Sequence, residues 1–172
     1  MDAQTPPKAC LPPIVDANTR LLILGSLPGD ASLAAERYYA HSTNQFWRLL
    51  GGAIGEPLAE LGYDARLARL ARRGVGLWDT VATAVRPGSL DGAMRAVAAN
   101  PLVELIAALP RLEAVAFNGG TAARIGRKAI GATTLTLIDL PSSSAALTRS
   151  VTAKAAAWSS LASFVPRGQI EP

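Results

Sequence analysis

Arg20-Leu-Leu-Ile-Leu-Gly25, followed at once by Ser26-Leu-Pro-Gly-Asp30, decides the architecture. An apolar run without polar alternation suits a strand covered on both faces, as in a parallel sheet, and the glycine and proline turn ends it. Three further segments read as strands: Gly74-Val-Gly-Leu-Trp-Asp79, residues 113–117 and residues 134–138. Helical patterns lie between them. Residues 31–37 are short, and residues 45–50 follow Thr43 or Asn44 as a cap. Residues 60–73 set Leu61, Leu67 and Leu70 opposite Arg66, Arg69, Arg72 and Arg73. Helices are also expected at 92–99, at 101–109 with Asn100 as cap and Pro101 first, and from Gly120 through Ile130. The last begins near Ser150 and carries Val151, Ala155, Trp158, Leu161 and Val165 on one face. This alternation predicts an α/β fold, a three-layer α/β/α sandwich around a four-stranded, largely parallel sheet. Residues 1–18 read as a Pro-rich arm, 19–166 as a single domain and 167–172 as a tail.

With 172 residues, 49% hydrophobic and 17% charged, the chain has ample material for a core and does not read as disordered. Its apolar stretches fall well short of the roughly 20 residues a membrane span requires. The opening Met-Asp-Ala-Gln-Thr-Pro-Pro has no apolar stretch of the kind a secretion signal carries. A single cysteine, Cys10, excludes an internal disulfide, and a single histidine, His41, leaves too few soft ligands for structural zinc. The expectation is a cytoplasmic protein without metal or cofactor. The net charge of +4 suits a phosphate-bearing partner, although arginine and alanine richness also follows from coding bias.

Ligands in open parallel sheets sit at the carboxyl ends of the strands, where this sequence places residues 25–30, 78–86, 118–120 and 140–144. Gly25 and Gly29 let backbone N–H groups approach a phosphate or a base edge, yet they equally suit a tight strand-to-helix turn. The pattern is neither GxGxxG nor a P-loop. Tyr38-Tyr-Ala-His-Ser-Thr-Asn-Gln-Phe-Trp47 concentrates rings that a flat pocket for a base would need. Trp47 reads as a core anchor, while Tyr38, Tyr39 and Phe46 stay open between core and pocket.

Taken in order, Leu22-Ile-Leu-Gly-Ser-Leu-Pro-Gly-Asp30, Tyr38-Tyr-Ala-His41, Asn44-Gln-Phe-Trp-Arg48, Gly76-Leu-Trp-Asp79, Arg86, Gly88-Ser-Leu-Asp91, Phe117-Asn-Gly119 and Leu140-Pro-Ser-Ser-Ser144 resemble the hypoxanthine-DNA glycosylase family. That family is family 6 of the uracil-DNA glycosylase superfamily, and the resemblance covers about residues 12–165. It implies hydrolysis of the N-glycosidic bond of a deaminated base, hypoxanthine first, leaving an abasic site for base excision repair. The base must leave the stack of a DNA duplex to be reached. A glycosylase for uracil or for G:U and G:T mismatches is the alternative, as is a lesion-binding protein without turnover.

The family's catalytic asparagine falls on Asn44, whose amide would align a water; from the residues alone Asn44 is equally a helix cap. Asn118 matches a second polar pocket residue, with a left-handed turn residue as the competing reading. Gly25, Ser26, Leu27, Gly29, Tyr39 and Phe46 complete the expected base pocket. Ser142, Ser143 and Ser144 are expected on the flanking phosphates, and Leu147 as a wedge filling the space of the flipped base. Arg86, Arg149 and Arg124 are candidate phosphate contacts, with solvated surface arginines as the plain alternative. Two prolines usual in the family are absent, at Ser42 and Ala145, which loosens both loops. The last motif lacks the histidine that uracil-removing relatives use, a gap more easily tolerated for a purine. Lys8, Lys128 and Lys154 lie outside every motif, so a Schiff-base mechanism is not expected. A monomer acting on double-stranded DNA, without membrane attachment and associated with the nucleoid, completes the reading.

Overall fold

The computed structural model describes residues 4–167. In chain order its elements are β1 (Pro7–Ala9), β2 (Leu21–Gly25), α1 (Asp30–Ala35), α2 (Phe46–Ile54), α3 (Tyr63–Arg72), β3 (Val75–Asp79), β4 (Val81–Val85), β5 (Arg95–Ala99), α4 (Leu102–Ala107), β6 (Ala114–Asn118), α5 (Gly120–Ile130), β7 (Thr136–Leu140) and α6 (Val151–Trp158). Short 3-10 turns stand at Leu58–Glu60, Asp91–Ala93 and Ser159–Phe164. The expected 167–172 tail lies, apart from Arg167, outside the described residues.

The four expected strands form one parallel sheet in the order β3-β2-β6-β7. The continuous apolar run of β2 is central and fully buried, because alternate side chains serve opposite layers. Leu21 and Ile23 pack with α2, α3 and α6, whereas Leu22 and Leu24 pack with α4 and α5. Each such leucine contributes about 2 kcal/mol of burial. The neighbours of β2 are reached by connections leaving in opposite senses, β3 on one side and β6 on the other, so a crevice opens at its carboxyl end.

A second sheet was not expected. Antiparallel β1, β4 and β5 form a three-stranded ribbon in the order β1-β4-β5. Residues 92–99, read as a helix, are instead a 3-10 turn and strand β5. Alanine-rich Arg95–Ala99 favours helix locally, but pairing with β4 supplies the backbone partners that the short segment could not provide alone. The register slips between Val81 and Thr83 and again between Thr83 and Val85, and Ala96 adopts φ +51. The arm is fixed to the domain by β1 and by an isolated bridge from Ile14 to Leu77.

Other boundaries move for identifiable reasons. Asn100 does not cap α4; its amide donates to the Asp79 carbonyl, 2.8 Å, across the chain. The helix expected from residue 60 begins at Tyr63 after the 3-10 turn, and Leu61, Leu67 and Leu70 face the core as expected. Ser150 does cap α6, accepting from the Ala153 N–H at 3.2 Å. On its inward face Lys154, not Ala155, is buried alongside Trp158.

Helix α5 approaches the sheet closely at Gly126. A Cβ there would stand 2.3 Å from Phe117 Cε1 and 3.0 Å from Thr80 Cγ2. Alanine improves helix propensity by about 1 kcal/mol, yet overpacking against a core ring costs about 1–3 kcal/mol. Gly126→Ala therefore lowers stability, read as a reduced midpoint in urea unfolding. A midpoint equal to or above that of the parent would show that α5 can move away from the sheet at no cost.

Candidate active site

The loops expected at the strand ends meet in a cleft of about 560 Å³, the size range of a small-molecule pocket. Its wall is contributed by residues 25–32, 38, 39, 41, 43, 44, 79, 89–91, 118 and 142–147.

Ser143 ties these loops together. Its hydroxyl donates to Asn44 Oδ1 at 2.9 Å, and the Asn118 amide donates to that same hydroxyl at 2.9 Å. The Ser143 N–H donates to Asn118 Oδ1 at 2.9 Å, and the Ser143 carbonyl accepts from the Gln45 N–H at 2.9 Å. The Phe46 N–H also donates to Asn44 Oδ1, 2.9 Å, which fixes the orientation of that amide. Asn44 thus does hold the start of α2, one residue before its N-cap Gln45, while standing in the cleft wall. Asn118 completes its bonding with a 3.3 Å donation to Tyr39 Oη. It is not the left-handed residue of its turn; Gly119, φ +100, is.

Tyr39 itself sits at φ +53, an uncommon conformation for a bulky residue and of the kind that collects at functional sites. Its ring stacks on Phe46, centroids 3.7 Å apart and planes 9° from parallel. Phe46 is fully buried in the core and stands outside the cleft wall. Its expected place in the pocket is therefore corrected to the support beneath Tyr39. Trp47 is the core anchor it was read to be. Gly25, Ser26, Leu27, Gly29, Tyr39 and Asn118 do line the cleft.

Of the residues expected on phosphates, Ser142 and Ser144 line the cleft, as does Leu147, the expected wedge, and Arg149 is exposed two residues beyond it. Two assignments are corrected. Ser143 is 1% exposed with N–H, hydroxyl and carbonyl all engaged inside the protein. Arg86 is fully buried, donating to the carbonyls of Gly88 (2.9 Å), Leu27 (3.1 Å) and Pro28 (2.6 Å). A guanidinium spent on three carbonyls braces the loop after β2 and is not available to a phosphate. Lys8 of β1 reinforces the brace through Asp30 and the Gly88 carbonyl. Arg124 is exposed on α5, outside the cleft wall.

The loops without the expected prolines are held by hydrogen bonds. The Thr43 N–H donates to His41 Nδ1 at 3.1 Å, and the Ala146 N–H donates to Ser144 Oγ at 3.2 Å. Beneath the second loop, buried Lys154 donates to Gln45 Oε1 (2.9 Å) and the Ser144 carbonyl (3.0 Å). Burial first, and then the charge of Arg149, lower its pKa.

Sequence reasoning gave no role to two acids in the cleft. Asp91 accepts from Ser26 Oγ at 2.7 Å. Asp79, at the end of β3, is 3% exposed. Burial, reinforced by Asp91 and opposed by Arg86, holds its carboxyl well above the usual carboxylate range. Their signal was present: both stand in segments quoted above, one at a strand end. Among the described residues no cluster of three or more His, Cys, Asp or Glu is placed to hold a metal. No described helix is long and apolar enough to cross a membrane.

Against known proteins, the sequence profile of the uracil DNA glycosylase superfamily matches residues 12–162. A protein of Methanosarcina barkeri named hypoxanthine DNA glycosylase is 40% identical over 153 residues, 88% of this chain and 95% of that one. A protein of Methanosarcina acetivorans with the same name is 40% identical over 112 residues, 65% of this chain and 71% of its own length. The solution NMR structure of a candidate uracil DNA glycosylase from Methanosarcina acetivorans superposes with a TM-score of 0.80 at 35% identity, covering 91% of this chain and 96% of that one.

The brace at Arg86 is open to a direct test. Arg86→Ala leaves three carbonyls without their donor and opens a cavity, a loss of about 3–5 kcal/mol in urea unfolding. A loss under about 1 kcal/mol would mean that water replaces the guanidinium freely.

Proposed function

The chain belongs to the uracil DNA glycosylase superfamily and is a DNA glycosylase, and from that premise we propose that it releases hypoxanthine from deaminated DNA. The observation that carries the proposal is Asn44, held by the Phe46 N–H and the Ser143 hydroxyl in the wall of a cleft roomy enough for a base. The name shared by the two Methanosarcina relatives supports the choice of base.

The reaction follows from that geometry. The flipped nucleotide enters the cleft and its base lies against Tyr39, whose ring Phe46 keeps from turning away. One lone pair of Asn44 Oδ1 is committed to Phe46 N–H; the other, now shared with the Ser143 hydroxyl, takes a water when that hydroxyl rotates. Asn44 thereby sets the water below the sugar, and a neutral amide is sufficient because the bond to the base breaks first and cationic character grows on the sugar. Ser142, Ser144 and the exposed Arg149 take flanking phosphates. Leu147, 36% exposed, enters the gap left by the base. On this reading residues 19–166 are the catalytic domain, and the described part of the arm, residues 4–18, buttresses it. The enzyme works as a monomer on duplex DNA, in the cytoplasm with the nucleoid, and uses no metal or other cofactor. The likeness to a candidate uracil DNA glycosylase favours uracil as the second reading.

Base release from matched duplexes carrying inosine, uracil or no lesion, with EDTA present, tests the proposal. Strand breaks appear only after alkali, and most strongly with inosine. Dominant uracil release would replace the substrate, and release from none would overturn the reading. Asn44→Ala slows release on the order of 100-fold or more while duplex binding in a gel shift persists. Equal loss of binding and release would reduce Asn44 to its part in holding α2.

A further inference from the structure

Asp79 has no part in the reaction as drawn so far, yet it is the most enclosed acid in the cleft. It ends β3 in register with Gly25 of β2. Its Oδ2 is buried and has no hydrogen-bond partner among the described residues. Its Oδ1 lies 2.6 Å, and Tyr39 Oη 3.1 Å, from the point that a Cβ on Gly25 would occupy. Carboxyl and phenol therefore converge on space that only a glycine leaves open, inside the wall that would receive the base.

We infer that Asp79 is the proton donor to the departing base, its carboxyl O–H facing a ring nitrogen of the flipped purine. The inference rests on the hypoxanthine reading. Its charge environment agrees. Burial and the Asp91 carboxylate favour the protonated acid, and Arg86 opposes them. Tyr38, Tyr39 and Cys10 also face Asp79, and burial raises the pKa of each, so they remain neutral. The step balances. The proton passes from Asp79 to N7 or N3 of the purine, and the C1′–N9 electron pair goes to the base, which leaves as neutral hypoxanthine. Water oxygen bonds to C1′, and the proton it sheds restores the Asp79 acid. A carboxylate could offer no such proton, so release falls as pH rises through the titration of Asp79.

Single-turnover release is measured for the parent and Asp79→Asn on duplexes with inosine, 7-deazainosine or 3-deazainosine across about pH 5 to 9. Asp79→Asn is expected to slow inosine release about 100-fold or more and to remove the fall in rate with rising pH. One deaza substrate is expected to slow the parent similarly, and on that substrate Asp79→Asn adds nothing further. Equal rates for parent and variant, or a loss that both deaza substrates leave undiminished, overturns the donor. A parent that releases no hypoxanthine overturns the substrate reading and the donor with it. Unfolding stability gives an independent readout. A carboxyl whose pKa is raised by folding supports stability at low pH, and that support is lost as pH rises through its folded pKa. Asp79→Asn is therefore expected to gain relative to the parent with rising pH, whereas parallel curves would mean a carboxylate throughout and would overturn the donor.

Discussion

The hydroxyl of Ser143 accepts from Asn118 and donates to Asn44, and the working end of the sheet is organised around that pair of bonds. The partners are 25 and 99 residues away along the chain, so the contact exists only once β6, β7 and α2 have all been placed. Buried side-chain networks of this kind strengthen when complete and are costly when one member fails. Here the network is complete at Ser143, where amide, hydroxyl and carbonyl each have a partner. It fixes the amide that the proposed chemistry requires and, through Asn118, steadies the phenol of Tyr39.

Much of this was legible in the sequence because burial on two faces leaves a signature. Leu21 to Leu24 have no polar residue among them, and a strand with helices on both sides tolerates none. The loops following such strands are where ligands bind, so the segments at 25–30, 118–120 and 140–144 could be named without coordinates. Strand β5 was not legible: alanine and arginine favour a helix, and only pairing with β4 overrides them. Which member of a polar segment turns inward was equally hidden. Ser142, Ser143 and Ser144 are identical in chemistry, yet the middle one is 1% exposed and serves the interior. Arg86 was read from its charge, whereas its partners are backbone carbonyls that no sequence pattern reveals. Phe46 was read as lining the pocket for its ring, but it supports from beneath the ring that does so.

The electrostatic character of the cleft also departs from what net charge suggests. A basic protein acting on a polyanion is expected to present cations, yet the interior of the cleft holds Asp79 and Asp91. Arg86 and Lys154, beneath these loops, are buried and hydrogen-bonded to carbonyl oxygens. Positive charge thus underlies the loops as scaffolding, while acids face the space where a base would lie. On the proposed reading, attraction for the backbone falls to exposed cations such as Arg149, two residues beyond Leu147.

Arg86 grips Leu27, Pro28 and Gly88 by their carbonyls alone, without regard to the side chains those positions carry. Backbone carbonyls are the same in every residue, so these three bonds do not depend on side chains, although Asp30, paired with Lys8, and Gly88, at φ +69, do add requirements of their own. Leu27 lines the cleft and Gly88 lies one residue before the lining segment 89–91. The side chain at Leu27 can therefore change while the three bonds that set the curvature of its loop are kept. A scaffold clamped through its main chain separates the shape of a pocket from its chemistry, and lineages sharing one such scaffold can diverge in the base they accept without first refolding.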